Sequence, residues 1–127
     1  MTSPVAQPNF LLLYVANPPA SAAFYSGLLG CPVIESSPNF TMLPLANGFM
    51  LGLWAKHDVA PSTNVAGGGG EIGFTQPDDA AVRACYADWV ARGLTVIQIP
   101  VKMDFGFTFT ATDPDGHRLR VFAPATA

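Results

Sequence analysis

Charged residues are scarce in this chain of 127 residues, in which Asp, Glu, Lys and Arg together account for 12% and the formal net charge is −3. The six basic residues are scattered along the sequence and form no basic run or stripe. A surface that binds nucleic-acid phosphates or anionic lipids concentrates Lys and Arg. We therefore expect neither a nucleic-acid partner nor a membrane partner.

Cysteines and long apolar runs are also scarce. The two cysteines, Cys31 and Cys85, are too few for a disulfide framework and lack zinc-site spacing, so both are predicted to be buried thiols. The longest clear apolar run, residues 10–16, is far shorter than the roughly 20 residues that cross a bilayer. Residues 1–4 show neither the basic region nor the apolar core of a signal peptide. These features predict a cytoplasmic protein.

The chain has only two histidines, and neither suggests a metal site. His57 follows a predicted strand, and His117 follows the glycine of a predicted turn. They are not spaced to share one helix face or a zinc motif. Both are interpreted as surface or hairpin residues.

The first half of the chain predicts the order strand, helix, strand, strand, strand. An apolar run over residues 9–16 is typical of a buried strand. Residues 20–29 place apolar side chains four apart, which predicts a helix that Gly30 ends. Three more strands are predicted from Val33, over 40–45 and over 49–54.

The second half repeats that order after a polar, glycine-rich stretch over residues 56–69. A phosphate-binding glycine loop follows a strand and opens a helix. Here the glycines precede a strand, so the stretch is interpreted as a linker. The predicted elements of the second half are a strand over 71–75, a helix over 80–92, and strands from Val96, over 106–112 and over 118–122.

An internal repeat links the two halves. The sequence Gly-Cys-Pro-Val-Ile at 30–34 matches Gly-Leu-Thr-Val-Ile at 93–97. We therefore predict an α+β fold of two βαβββ modules, 9–55 and 70–124, within one domain that spans 1–127. A helix covers one face of each sheet, and the other face needs a second module or a second chain to cover it. A cavity between curved sheets is the expected result.

This repeat resembles the glyoxalase, bleomycin-resistance and extradiol-dioxygenase superfamily, also called the vicinal oxygen chelate superfamily. The motifs that carry the resemblance are residues 24–25 and 28–30 in the first helix and Asp-Pro-Asp-Gly at 113–116 before the last strand. The resemblance covers roughly residues 9–124. It implies a cavity used for metal-dependent isomerisation, dioxygenation or thiol transfer, or for antibiotic sequestration. It also implies a homodimer.

The resemblance further implies where a metal would bind, which is on the first, fourth, fifth and eighth strands. The matching positions are Phe10, the vicinity of Gly52, Glu71 and Arg120. Phe10 and Gly52 have no donor side chain, Arg120 repels a cation, and one carboxylate does not define a divalent site. We therefore expect no metal and no other cofactor. Because the fifth-strand and eighth-strand positions lie close together in the family, we predict an ion pair between Glu71 and Arg120.

Strand alternation assigns side chains to the cavity wall if Phe10 faces the cavity. The resulting wall is aromatic and apolar with small gaps at two glycines, and it suits a flat aromatic ligand stacked on Trp54. An ordinary core or interface role for Trp54 remains the alternative. The predicted ligand-binding residues are Phe10, Leu12, Tyr14, Met50, Gly52, Trp54, Glu71, Gly73, Thr75, Thr108, Arg118 and Arg120.

Within the superfamily, the sequence most resembles phenazine-antibiotic resistance binding proteins. The resembling segments are residues 13–17, Trp54, 71–73, 113–117 and 120–121. The resemblance implies metal-free sequestration of a phenazine-like or other planar aromatic compound. Two alternatives stay open: a metal-dependent glyoxalase-type or dioxygenase-type enzyme, which needs ligands that the sequence lacks, and a metal-free lyase or isomerase that uses Glu71 or Tyr14 as acid or base.

Overall fold

Each half of the chain folds into a four-stranded mixed sheet with one helix in the computed structural model, which describes residues 8–65 and 67–125. The chain divides into two compact units between Asn64 and Val65. The first unit contains β1 (Phe10–Val15), α1 (Pro18–Leu29), β2 (Glu35–Ser36), β3 (Phe40–Pro44) and β4 (Met50–Ala55). The second contains β5 (Glu71–Thr75), α2 (Asp79–Ala91), β6 (Thr95–Met103), β7 (Gly106–Thr112) and β8 (Arg118–Pro124).

The two sheets have the same topology. Their strand orders are β1-β4-β3-β2 and β5-β8-β7-β6. In each sheet the first and last strands of the unit pair in parallel, and the remaining pairs are antiparallel. The predicted α+β fold of two βαβββ modules is therefore confirmed.

Helix α1 begins two residues earlier than predicted. Asn17 is its N-cap, and the side-chain Oδ1 accepts a hydrogen bond from the backbone N–H of Ala20 at 3.0 Å. Pro18 and Pro19 occupy the first helical positions, where a missing N–H costs nothing. The two prolines thus start the helix. Gly30 ends α1 with a φ of 70°, as expected for a left-handed cap.

Helix α2 is shifted by one residue from its predicted range. The Asp78 side chain caps its start by accepting from the backbone N–H of Ala81 at 2.8 Å. The helix ends at Ala91, and Arg92 is the C-cap rather than the last helical residue.

The second strand of the first unit begins two residues later than predicted. Only Glu35 and Ser36 are strand residues, although the backbone N–H of Ile34 already donates to the Met42 carbonyl at 2.8 Å. A short 3-10 turn over residues 46–48 precedes β4, and Gly48 in this turn has a φ of 79°. A second 3-10 turn over residues 56–58 lies within the predicted linker.

The hydrophobic core of each unit lies between its helix and one face of its sheet. In the second unit, Trp89 of α2 packs edge-on against Phe74 and Phe109, with ring centroids 5.3 and 5.4 Å apart. In the first unit, Tyr25 of α1 is fully buried together with Leu51 and Leu53 of β4. The opposite face of each sheet is then the face on which the predicted site residues lie.

Neither cysteine is the buried thiol that the sequence predicted. Cys31 and Cys85 are both half-buried and free. Burial, followed by the negative charge of Asp88, raises the pKa of the Cys85 thiol to about 11. Cys85 lies beside, and not within, the buried stripe of α2, because the residues that the helix buries are Val82 and Trp89.

Among the described residues, neither helix has the length and apolar character that crossing a bilayer would require.

Candidate ligand-binding site

The predicted site residues divide between two sheet faces, one in each unit. The first face, on β1 and β4, contains Phe10, Leu12, Tyr14, Met50, Gly52 and Trp54. Parallel pairing aligns Phe10 with Met50, Leu12 with Gly52, and Tyr14 with Trp54. The alternating residues of β4 that point the other way, Leu51, Leu53 and Ala55, are buried. The predicted alternation on these strands therefore matches the structure.

The first face presents apolar and aromatic side chains. Phe10 and Leu12 are 43% and 45% exposed and lie on the same side of β1. Trp54 is half-buried and meets Tyr14 edge-on, with ring centroids 6.3 Å apart. Its indole N–H donates to Asp58 Oδ2 at 3.4 Å. Trp54 is therefore not an ordinary core tryptophan.

The predicted gap at Gly52 is filled, which corrects the expectation from sequence. A Cβ at this position would lie 2.7 Å from both Leu12 Cδ2 and Phe10 Cε1, and 3.1 Å from Phe40 Cε1. Because glycine has no side chain, its neighbours lean over the backbone and occupy the space. A metal-binding side chain at position 52 would collide with them.

The second face, on β5, β7 and β8, contains the other predicted residues: Glu71, Gly73, Thr75, Thr108, Arg118 and Arg120. Pairing aligns Glu71 with Arg118, Gly73 with Arg120, and both Thr75 and Thr108 with Phe122. The intervening residues of β8, Leu119 and Val121, are fully buried. All six residues thus share one face of one sheet.

Glu71 and Arg120 form the predicted ion pair. Arg120 Nε donates to Glu71 Oε1 at 2.7 Å, and Nη2 donates to Oε2 at 2.9 Å, which is a bidentate arrangement. The two side chains are 33% and 18% exposed. Arg118 Nη1 lies 4.0 Å from Glu71 Oε2, beyond hydrogen-bonding distance. The prediction of a Glu71–Arg120 pair is confirmed.

The remaining donors of Arg120 reach into a polar cluster that the sequence did not fully predict. Nη1 donates to Gln98 Oε1 at 3.0 Å and to Thr108 Oγ1 at 3.3 Å. Thr110 donates to the same Gln98 oxygen at 3.0 Å, and Thr108 donates to the Val121 carbonyl at 2.8 Å. Gln98 is not among the predicted site residues, although it is a polar residue in an apolar strand. The pairing of β6 with β7 shifts register on both sides of Gln98, so strict alternation does not assign its side chain to a face.

Electrostatics keep both members of the pair charged. The hydrogen bonds from Arg120 lower the pKa of the Glu71 carboxyl below its ordinary value. They outweigh burial, which acts in the opposite direction, and the positive charges of Arg120 and Arg118 add to them. The same bonds raise the pKa of Arg120. Glu71 is therefore an ionised acceptor whose two oxygens are both engaged.

An aromatic group lies next to this polar cluster. Phe105 meets Phe122 edge-on at a centroid distance of 5.9 Å, and the Arg120 guanidinium carbon lies 5.8 Å from the Phe105 centroid. A Cβ at Gly73 would lie 3.5 Å from Phe122 Cε1, which is ordinary van der Waals contact. Phe105 is 43% exposed. It lies in the turn between β6 and β7, where strand alternation assigns no face.

The family metal positions do not fit a metal ion in this chain. Position 52 is packed with apolar side chains, Phe10 has no donor atom, and Arg120 holds both oxygens of Glu71. Within residues 8–65 and 67–125, no three His, Cys, Asp or Glu side chains are grouped so that they could bind an ion.

A cavity of about 490 Å³ in the second unit lies away from the predicted residues. It is bounded by the start of α2 at Asp78 and Asp79, by Lys102 of β6, and by Ala123 and Pro124 of β8. None of the twelve predicted ligand-binding residues lines it.

Residues 7–121 match the model of the Glyoxalase/Bleomycin resistance protein/Dioxygenase superfamily. The chain belongs to this superfamily. It is 28% identical over 126 residues to the phenazine antibiotic resistance protein EhpR of Enterobacter agglomerans, and the match covers 95% of each chain. Both the superfamily and the likeness to phenazine-resistance proteins were predicted from sequence and are confirmed.

Solved structures with the superfamily fold are similar to this chain. A protein from Agrobacterium tumefaciens, solved in solution by NMR, is 53% identical with a TM-score of 0.87, and the match covers 96% of this chain and 100% of that one. A glyoxalase-related enzyme from Fulvimarina pelagi is 22% identical with a TM-score of 0.79, covering 94% of this chain and 88% of that one. At that lower identity the likeness shows the fold alone.

Proposed function

We propose that this superfamily member binds and sequesters a small planar aromatic compound of the phenazine type, without a metal ion and without converting it chemically. The observation that carries the proposal is the bidentate Glu71–Arg120 pair, which engages both oxygens of the one carboxylate at the family metal positions. The similarity to EhpR over 95% of the chain supports an antibiotic-binding role.

Each face, considered by itself, favours an aromatic ligand over a small polar one. The first face exposes Phe10 and Leu12 beside the Tyr14–Trp54 edge contact. The second face adds the Phe105–Phe122 pair next to Gly73. Ligand sites of this kind are largely apolar and aromatic with a few polar groups that fix orientation. Rings that stack on such side chains bury large apolar areas.

The state of Glu71 weakens the alternatives in which Glu71 is the acid–base group or a metal ligand. A general base works best with a pKa near the operating pH and a free lone pair aimed at the substrate. Arg120 lowers the pKa of Glu71 and accounts for a hydrogen bond to each carboxylate oxygen. A metal-dependent reaction would need donor atoms that positions 10, 52 and 120 do not supply.

A fluorescence titration tests this proposal. Protein stripped of metal is titrated with phenazine-1-carboxylate, and quenching is followed in the wild type and in Trp54→Phe and Trp89→Phe variants. We expect saturable quenching near one ligand per chain, unchanged by added Ni²⁺, Zn²⁺ or Fe²⁺. Trp54→Phe should abolish most of the signal, whereas Trp89→Phe should retain it, because Trp89 is 5% exposed within the core.

Two outcomes would contradict the proposal. No quenching and no heat of binding by calorimetry would remove the phenazine-type ligand. Binding that requires a divalent ion would overturn the interpretation of positions 10, 52, 71 and 120.

We further propose that the protein acts as a cytoplasmic homodimer. Free cysteines at 31 and 85 suit a reducing compartment. Exposed large apolar side chains outside the predicted site, such as Ile34 and Ile99, suit a contact with a second chain. Light scattering coupled to gel filtration should give twice the chain mass of 13.4 kDa, and a mass equal to that of one chain would contradict the dimer.

A further inference from the structure

The second face carries one unbalanced positive charge. Three charged side chains meet there: Glu71, Arg118 and Arg120. One carboxylate neutralises one guanidinium, and the geometry shows which one. Arg120 makes the bidentate pair at 2.7 and 2.9 Å, whereas Arg118 stays at 4.0 Å.

Arg120 has almost no donor capacity left for a ligand. A guanidinium has five N–H groups. Arg120 makes four hydrogen bonds, two to Glu71, one to Gln98 and one to Thr108. Its side chain is 18% exposed. It is therefore a fixed structural part of the face.

Arg118 has the opposite properties. Its side chain is 46% exposed, and the contact with Glu71 is too long for a hydrogen bond. Its planar guanidinium can bind a carboxylate through two parallel N–H···O hydrogen bonds. It pairs with Glu71 across the β5–β8 ladder, so its backbone position is fixed by the sheet.

The order of residues along the face gives the orientation of a ligand. From one end of β5 and β8 to the other, the aligned pairs are Glu71 with Arg118, Gly73 with Arg120, and Thr75 with Phe122. Arg118, which carries the excess charge, thus lies at one end and Phe122 lies at the other. Phe105 packs against Phe122, and the Phe122 ring comes within 3.5 Å of where a Cβ at Gly73 would lie. The guanidinium of Arg120, which Glu71 neutralises, lies 5.8 Å from the Phe105 centroid. A planar molecule with an acid at one end matches this gradient.

We infer that the ligand of the second face is an aromatic acid, and that Arg118 recognises its carboxylate. This inference rests on the proposed function, because it specifies the chemical class of the planar aromatic ligand. Arg120 serves as a positioning residue that keeps Glu71 away from the bound acid. The rings of the acid then lie against Phe122.

The test compares two ligands of nearly the same shape, phenazine-1-carboxylate and the neutral phenazine-1-carboxamide. Each is titrated by calorimetry, a signal that does not depend on Trp54 of the first face, against the wild type, Arg118→Gln and Arg92→Gln. Arg92 is a matched control, since its side chain is 47% exposed and forms an ordinary helix-surface pair with Asp88 at 2.8 Å. Circular dichroism verifies that every variant is folded.

We expect the wild type to bind the acid about tenfold more tightly than the amide, as a charge-assisted pair would provide. Arg118→Gln should lose that preference while keeping its affinity for the amide, and Arg92→Gln should behave as the wild type. Added salt should weaken binding of the acid more than binding of the amide.

The failures of the two proposals are distinguishable. If acid and amide bind the wild type equally, or if Arg118→Gln weakens both to the same degree, the inference about Arg118 is overturned while aromatic binding stands. If neither compound binds, the proposed function falls and this inference falls with it.

Discussion

Glu71 faces Arg118 across the β5–β8 ladder, yet it forms its bidentate ion pair with Arg120, one diagonal step further along β8. The direct neighbour remains 4.0 Å away. Arg120 itself lies opposite Gly73 in the same ladder. Gln98 and Thr108 then hold the guanidinium from the other side.

The first prediction concerns the strength of this pair. A double-mutant cycle with Glu71→Gln and Arg120→Gln should give a coupling free energy of about 1 kcal/mol, because the pair is bidentate and partly buried but still in contact with solvent. Urea denaturation of the four proteins measures it.

The matched control for that cycle is the exposed pair of Asp88 and Arg92 on α2, whose Nε–Oδ2 distance is 2.8 Å. Exposed helix pairs at this spacing contribute roughly 0.3–0.5 kcal/mol. If the coupling free energy between Glu71 and Arg120 is no larger than that between Asp88 and Arg92, burial and bidentate geometry do not strengthen the pair.

The second prediction is the pH dependence of the same interaction. Arg120 lowers the pKa of Glu71 in the folded protein, so the folded state favours the ionised carboxylate. The stabilisation is complete above the pKa of an unfolded-chain glutamate, about 4.3. It is lost as the pH falls through the lower pKa of the folded state. The difference in unfolding free energy between the wild type and Glu71→Gln, measured from pH 7 to pH 3, should therefore be constant down to about pH 5 and then shrink.

An unchanged difference down to pH 3 would contradict that expectation. NMR titration of the Glu71 carboxyl offers a direct check, because its midpoint should move upwards in Arg120→Gln.

Strand alternation explains why much of this molecule was predictable. It placed Phe10, Leu12 and Tyr14 on one face, and Arg118 and Arg120 on another, since successive side chains of a strand point to opposite sides. The family positions added the proximity of Glu71 and Arg120, which are 49 residues apart and which no local pattern connects.

The parts that were not predicted depend on deviations from regularity. Gln98 joins the polar cluster through register shifts in β6, and Phe105 enters from a turn. Phe10 and Leu12 fill the expected gap at Gly52, because glycine has no side chain and neighbouring side chains occupy the space. Sequence periodicity contains no information about such tertiary adjustments.

The third prediction compares the two glycines. Gly52→Ala places a methyl group 2.7 Å from Phe10 and Leu12, so both side chains must move, and we expect a loss of about 1 kcal/mol of stability. The loss stays small because both neighbours are partly exposed and can rotate outwards. Gly73→Ala meets only Phe122 at 3.5 Å and should be neutral or slightly stabilising. Thermal unfolding of both variants tests this, and a larger cost at position 73 than at 52 would refute it.

The fourth prediction concerns the reactivity of Cys85, studied in a Cys31→Ser background so that it is the single thiol. Burial, with the nearby charge of Asp88, raises its pKa to about 11, and only the thiolate reacts with disulfide reagents. The reaction of the folded protein with a chromogenic disulfide should be slow at pH 8 and should accelerate about tenfold per pH unit up to pH 10. In urea the thiol returns to an ordinary pKa of about 8.5, so the rate at pH 8 should rise by a factor of a hundred or more. A rate that levels off near pH 9 in the folded protein would mean that Asp88 and the half-buried surroundings do not suppress ionisation. In that case Cys85 would be an ordinary surface thiol.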